Sequence, residues 1–194
     1  MKPQLPRRAG LVLSILTFGV MAASAADWTG FRGPGSKGIS TDTKVPAEWS
    51  DSKNLKWKMK LPGKGYSSPI VVGDRVIVTC YSGEGGDLTG LKRHLVCVDR
   101  KTGDEVWSKT VAATMPERSI PRFAGTPGYA SNTPVSDGER IYVLFGNSGV
   151  LAYDLTGKQV WAQDVGSESA AMFGSASSPI PVSYTHLRAH ETAM

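Results

Sequence analysis

Residues 97–107 read CVDRKTGDEVW, and residues 152–161 repeat the pattern, one residue shorter, as AYDLTGKQVW. In both copies a small residue precedes Asp, a Thr-Gly pair follows, and Trp comes last. An Asp carboxylate accepts hydrogen bonds from the backbone of a turn, and Gly adopts the positive φ that such a turn needs. The repeated stretch therefore predicts a tight turn followed by a strand that carries Trp107 or Trp161.

Two apolar strands precede each copy of this turn. They are predicted at residues 76–80 and 95–98 in the first repeat, and at 141–145 and 150–153 in the second. Their β-branched and aromatic residues favour strands over helices. Each repeat opens with a Ser-Pro or Thr-Pro step, which recurs a third time at Ser178. Each unit therefore reads as a four-stranded antiparallel meander of about 45 residues, the size of a propeller blade.

A Trp that recurs once per blade has a structural role to play, because its large apolar face can pack across the gap between neighbouring blades. A third such residue occurs in residues 55–60 (LKWKMK), which we predict to be the last strand of a preceding blade. The residues predicted to dock the blades together are Trp57, Trp107, Trp161, Asp99, Gly103, Asp154 and Gly157.

The N-terminus has the features of a secretory signal peptide. Lys2, Arg7 and Arg8 precede an apolar run at residues 9–23, which closes on Ala-Ser-Ala. The run is shorter than the roughly 20 residues of a membrane-spanning helix. We therefore expect export to the periplasm or envelope of a Gram-negative-type bacterium, with no transmembrane segment after cleavage. Three charges of the formal net charge of +5 lie here, so the mature chain is too weakly basic to predict nucleic-acid binding.

The C-terminal residues 183–194 depart from the rest of the sequence. They hold two of the three histidines and show no strand alternation. His186 and His190 are four residues apart, a spacing that could present two imidazoles to a metal on a helix. The segment also resembles a translated synthetic adaptor, and a non-native tail is the favoured interpretation.

These features divide the chain into six predicted segments. They are a signal peptide (1–25), an N-terminal segment with the last strand of a preceding blade (26–66), a blade with a long connection (67–130), a second blade (131–176), the start of a third blade (177–182) and the tail (183–194).

The two motif copies resemble the tryptophan-docking motif of PQQ-type β-propellers. That family includes quinoprotein alcohol dehydrogenases and BamB-like exported repeat proteins, and the opening of the mature chain (residues 28–34, WTGFRGP) is also similar to the latter. The resemblance implies an all-β fold, a partial β-propeller of four-stranded antiparallel blades. A ring of seven or eight blades needs well over 300 residues at about 45 each, so we expect this chain to be an N-terminal fragment.

The resemblance leaves two functions open. The favoured one is a binding or scaffold module without catalysis, whose partner is a protein or other envelope component, because no catalytic or metal-binding constellation stands out and no cofactor is evident. The alternative is a quinoprotein oxidoreductase whose catalytic blades lie elsewhere. The resemblance implies that such an enzyme would hold PQQ over calcium beside two adjacent cysteines, whereas Cys80 and Cys97 are far apart in the sequence.

The two cysteines are expected on adjacent strands. With the tight turn of the second repeat as a guide to register, they fall on the same face, one diagonal step apart, which is longer than a comfortable disulfide span. Two buried free thiols are the favoured interpretation, and a disulfide is the alternative in an oxidising compartment.

A long connection is the best candidate for a binding surface. It spans 26 residues between Trp107 and Pro134, against 17 between Trp161 and Pro179. Connections between blades line one mouth of a propeller channel, so Arg118, Arg122, Tyr129 and Asn132 are candidates for binding an anionic or peptide ligand. The alternative is a solvated loop held by prolines.

Overall fold

The computed structural model describes residues 26–43, 45–84, 87–117, 128–166, 177–182 and 186–189. These residues form an all-β structure with two four-stranded antiparallel sheets, which confirms the predicted fold class. Sheet 1 contains β1 (Ile70–Val72), β2 (Arg75–Ser82), β3 (Lys92–Asp99) and β4 (Glu105–Ala112). Sheet 2 contains β5 (Val135–Ser136), β6 (Arg140–Leu144), β7 (Val150–Asp154) and β8 (Gln159–Gln163).

Each sheet is a meander in which consecutive strands are neighbours, as the repeat predicts. The two sheets share an irregularity at the same motif position. In sheet 1 the register shifts between Cys97 and Val98, and in sheet 2 it shifts between Ala152 and Tyr153. In each sheet the motif Asp that begins the turn, Asp99 or Asp154, follows directly after the shift. Cys97 is paired with Trp107, and Ala152 with Trp161, so a small side chain lies directly across from each indole.

A third pair of strands follows sheet 2. Strand β9 (Pro179–Val182) pairs with β10 (His186–Ala189) in an antiparallel two-stranded sheet. The prediction that residues 183–194 lack strand structure is therefore wrong for β10, because backbone pairing does not require the apolar alternation on which that prediction relied. His186 lies on a strand rather than a helix, and His190 lies outside the described residues.

The main core lies between the two sheets. Sheet 1 contributes Ile70, Ile77, Leu95 and Cys97, and sheet 2 contributes residues that include the 2% exposed Phe145. The opposite face of sheet 1 buries Cys80, Val96 and Val98 in a separate cluster. Both faces of sheet 1 are therefore covered, one by sheet 2 and the other by the segment that contains Trp57.

The segment of Trp57 covers sheet 1 without being a strand. Trp57, Met59 and Leu61 pack against the Cys80 cluster, but the described chain before Ile70 contains no strand. The prediction of a strand at residues 55–60 is therefore wrong for this structure, because a strand needs a hydrogen-bonded neighbour and none of the described residues supplies one.

The Ser/Thr-Pro steps of successive repeats are hydrogen-bonded to one another, next to the first strand of each repeat. The backbone N–H of Ser68 donates to Thr133 Oγ1 over 3.1 Å, and the N–H of Thr133 donates to Ser178 Oγ over 3.0 Å. The same position in the second and third repeats thus accepts a hydrogen bond from the repeat before it. Because Pro cannot donate to a ladder, the hydroxyl residue beside it provides this connection instead.

Cys80 and Cys97 lie on opposite faces of sheet 1, so the predicted shared face is wrong. Cys80 is paired with His94, and Cys97 with Ile77, which puts them an odd number of positions apart. The prediction assumed a four-residue turn, residues 146–149, in the second repeat, but the five residues 145–149 separate its strands and include a 3-10 turn. A one-residue change of register exchanges the faces. Both thiols are free and buried, and burial raises the pKa of Cys97 to about 11.

The predicted signal peptide, residues 1–25, lies outside the described residues. No helix in the described ranges combines the length and apolar character needed to cross a bilayer.

Candidate functional site at the inter-blade connection

Two tryptophans reach from one repeat to the motif turn of the next. Trp57 Nε1 donates to the carbonyl oxygen of Arg100 over 2.9 Å, and Trp107 Nε1 donates to the carbonyl oxygen of Leu155 over 3.2 Å. The two acceptors occupy the same place, directly after the motif Asp. Each indole thereby satisfies its only polar group while its apolar face stays covered.

The motif glycines provide the surface on which these indoles lie. Gly103 has a φ of 82°, and a Cβ there would lie 2.6 Å from Trp57 Cγ. Gly157 has a φ of 84°, and a Cβ there would lie 2.7 Å from Trp107 Cδ2. Gly is therefore required twice over, once for the backbone conformation and once for the close approach of the ring.

The motif aspartates are bonded within their own turns. Asp99 Oδ1 accepts from the backbone N–H groups of Lys101 and Thr102, at 2.8 and 2.9 Å. Asp154 Oδ1 accepts from the Thr156 hydroxyl over 2.6 Å and from the Lys158 N–H over 3.0 Å. These hydrogen bonds favour the charged form and lower the pKa of both carboxyls.

Trp161 lies at the matching place on the far face of sheet 2. It packs against Val135, Tyr142 and Ala152, and its ring centroid is 5.9 Å from that of Tyr142. The structure thus brings the predicted docking residues together in two groups, Trp57 with Gly103 and Trp107 with Gly157, while Trp161 contacts its own sheet.

The inter-blade connection, residues 113–134, begins against sheet 2. The N–H of Thr114 donates to Ser148 Oγ over 3.3 Å, and Asn147 Nδ2 donates to the carbonyl oxygen of Pro116 over 2.6 Å. Both partners lie in the 3-10 turn Gly146–Ser148. The start of the connection is therefore held by the turn between β6 and β7. Met115, within this stretch, is 44% exposed.

The end of the connection lies against sheet 1. The rings of Tyr129 and Tyr81 meet edge to face, with centroids 5.5 Å apart. Asn132 is buried: its carbonyl accepts from Thr79 Oγ1, and its Nδ2 donates to the carbonyl oxygen of Ser177 over 2.6 Å. Two of the four predicted ligand-binding residues thus make internal contacts. Arg118 and Arg122 lie outside the described residues.

Arg93 is the group on which both ends of the connection converge. Its Nη1 and Nη2 donate to the two carboxylate oxygens of Glu117, at 2.6 and 3.1 Å. Its Nε donates to the carbonyl oxygen of Tyr129 over 2.8 Å. The side chains of Arg93 and Glu117 are 3% and 7% exposed, so this is a buried bidentate ion pair.

A second polar network crosses the three longer strands of sheet 1. His94 Nε2 lies 2.8 Å from Ser82 Oγ, and His94 Nδ1 lies 3.0 Å from Thr110 Oγ1. Burial lowers the pKa of His94, and the positive charge of Lys92 adds to this effect. The neutral imidazole can accept from one hydroxyl and donate to the other, so the network is satisfied without a charge.

The acidic and metal-ligating residue types of the described chain are dispersed or bonded within turns. No group of three or more His, Cys, Asp and Glu residues in this part of the chain could hold a metal ion. Asp99 and Asp154 are occupied by turn hydrogen bonds. Asp137 accepts from Tyr142 Oη over 2.6 Å and from two backbone N–H groups, and these hydrogen bonds lower the pKa of its carboxyl although burial opposes this.

The sequence did not reveal Arg93, Glu117 or His94 as important. The third strand of sheet 1 was predicted to begin at Leu95, whereas it begins at Lys92 and includes two buried polar residues. Charged residues at the edge of an apolar run normally mark an exposed strand end. The only available signal was that Glu117 is an isolated acidic residue near two arginines in a long connection.

Comparison with known proteins assigns the family. Among solved structures, the crystal structure of BamB from Moraxella catarrhalis matches at 21% identity with a TM-score of 0.43, covering 66% of this chain and 31% of that one. The chain thus spans about a third of the length of that structure. No curated protein matches. The family model described as outer membrane protein assembly factor BamB matches residues 81–191, more than half of the sequence. The chain therefore belongs to this PQQ-like, BamB-like family of β-propeller repeat proteins.

Proposed function

We propose that this chain is part of an exported β-propeller that binds a protein partner in the cell envelope and has no catalytic role in the described blades. The observation that carries the proposal is the way the inter-blade connection is held. Buried Arg93 pairs with Glu117 near its start and donates to the carbonyl oxygen of Tyr129 near its end, while Met115, beside Glu117, is 44% exposed. Rigid scaffolds that present a long connection are the usual way in which repeat folds expose a binding surface.

The family supports the same kind of partner. Its description is that of an outer membrane protein assembly factor, and assembly of this kind works through contacts between proteins. By this likeness, the partner of the chain would be a protein of the outer membrane or its assembly apparatus, encountered in the periplasm. Arg118 and Arg122 give the connection a positive charge, so an acidic segment of the partner is the expected contact.

The binding surface has a defined opposite. Successive turns of an antiparallel meander lie at opposite ends of its strands. The connection, which leads into β5, therefore lies at the same end of sheet 2 as the turn at residues 145–149. The turn that contains Glu139, between β5 and β6, lies at the other end of the strands. Glu139 is exposed and therefore provides a matched control position.

Photo-cross-linking tests the binding proposal. A benzoyl-phenylalanine introduced at Met115 should form a cross-link to one envelope protein in cells that make the chain, and the same group at Glu139 should not. Charge reversal by Arg118→Glu with Arg122→Glu should reduce that cross-link about ten-fold, since it removes the attraction to an acidic segment. Equal cross-linking from both positions, or none from Met115, would contradict the proposal.

Export can be tested separately. A reporter that is active only outside the cytoplasm, fused after residue 27, should be active, with the mature chain beginning near Ala26. Replacing the apolar residues Leu13 and Ile15 with Asp should keep the reporter inactive in the cytoplasm. Activity that survives this double substitution would show that residues 1–25 do not direct export.

A further inference from the structure

We propose that Arg93 is the positioning residue of the inter-blade connection, closing its base by holding Glu117 and Tyr129 with one guanidinium. Glu117 lies near the start of the connection and Tyr129 near its end, yet both contact the same side chain. The inference concerns how the connection is held, and its consequence for binding rests on the proposed function.

Arg93 also joins the two sheets at this point. It projects from β3 of sheet 1, and its guanidinium lies so close to Gly146 in the turn of sheet 2 that a Cβ there would clash with Nη2. Gly146 has a φ of 53°. A glycine at this position thus leaves room for the planar group and permits the turn that holds the start of the connection.

The geometry uses features that only arginine offers. The two parallel hydrogen bonds to Glu117 require the planar fork of Nη1 and Nη2, and Nε remains directed at the carbonyl of Tyr129. Lys could form the ion pair but not all three hydrogen bonds with fixed orientation. Since the pair is buried, losing one partner leaves an uncompensated charge, whereas replacing both partners with apolar residues is tolerated.

Limited trypsin digestion of the chain measures the closure of the base directly, because Arg118 and Arg122 are cleavage sites within the connection. The test variant is Arg93→Met with Glu117→Leu, which removes the three hydrogen bonds without burying a lone charge. We expect cleavage after Arg118 and Arg122, identified by mass, to accelerate at least about ten-fold, with an unchanged unfolding midpoint. The single variant Arg93→Lys should give an intermediate rate.

The matched control is Lys64→Met with Glu84→Leu. Lys64 and Glu84 form an ion pair 2.7 Å long near the same edge of sheet 1, but its side chains are 74% and 32% exposed. Neither side chain has a hydrogen bond or ion pair to the described residues of the connection, so its removal should leave the cleavage rate after Arg118 and Arg122 unchanged. An unchanged rate in the Arg93→Met, Glu117→Leu variant, or an equal increase in the control, would overturn the proposed role of Arg93.

The cross-link from position 115 then separates the two proposals. If Arg93 positions the connection for binding, the yield of this cross-link should fall about ten-fold in the Arg93→Met, Glu117→Leu variant, while its blades stay folded. Faster digestion together with an undiminished cross-link would overturn the positioning role in binding. Faster digestion in a chain that shows no cross-link even with Arg93 present would support the closure of the base and contradict the proposed function instead.

Discussion

Trp107→Ala should lower the free energy of unfolding by about 3 kcal/mol, the lower end of the range for truncating a large buried aromatic residue. The lower end is appropriate because Trp107 is only partly buried. The substitution removes the packing of the indole on the inter-sheet core and leaves the carbonyl of Leu155 without its donor. Urea denaturation followed by far-UV circular dichroism measures the change.

Trp49→Ala is the matched control for this measurement. Trp49 carries the same side chain but is 65% exposed, so its removal should change the free energy of unfolding by less than about 0.5 kcal/mol. A similar loss from both substitutions, or a loss below about 1 kcal/mol from Trp107→Ala, would mean that the indole of Trp107 does not hold the two sheets together.

The fold could be predicted because its signals are local and repeated. The Asp, the Gly and the Trp of each motif copy lie within a span of eleven residues or fewer, and each residue type has a direct physical reason to be there. Turn chemistry and apolar strands then fixed the meander. The two strands that end at Ser82 and begin at Lys92 were predicted too short, because the polar residues at those ends pair in the ladder as well as apolar residues do.

The register of the first hairpin could not be predicted in the same way. Its strands are joined by the nine residues 83–91, a length that sequence does not convert into a pairing register. The comparison with the second repeat failed because the five residues 145–149 separate its strands, one more than the predicted turn at residues 146–149. One residue of difference was enough to move Cys80 to the face opposite Cys97.

The base of the inter-blade connection depends on contacts that no local pattern encodes. Arg93 is 24 positions from Glu117 and 36 from Tyr129. A buried ion pair also contradicts the usual expectation that such residues are exposed. The length of the connection indicated Arg118 and Arg122 as candidates, whereas the residues that hold the connection to the blades are apparent only from the structure.

Gly157→Ala should cost nearly as much stability as the loss of the indole, about 3 kcal/mol in all. Roughly 1 kcal/mol comes from placing Ala at a positive φ. The remainder arises because the new Cβ, 2.7 Å from Trp107 Cδ2, displaces the ring from the motif turn. Gly138→Ala is the matched control: Gly138 has a φ of 97°, but a Cβ there has no atom within 4 Å, so it should cost only about 1 kcal/mol.

A double-mutant cycle isolates the contact between the indole and the glycine. In a chain that already carries Trp107→Ala, the ring is absent and Gly157→Ala should cost only the backbone strain, about 1 kcal/mol, as Gly138→Ala does. The coupling energy should therefore be about 2 kcal/mol, within the range for residues in direct contact. Additive losses would show that Gly157 serves its own turn alone. The contact between an indole and a motif glycine, which Trp57 and Trp107 both make, would then not stabilise the packing of one blade on the next.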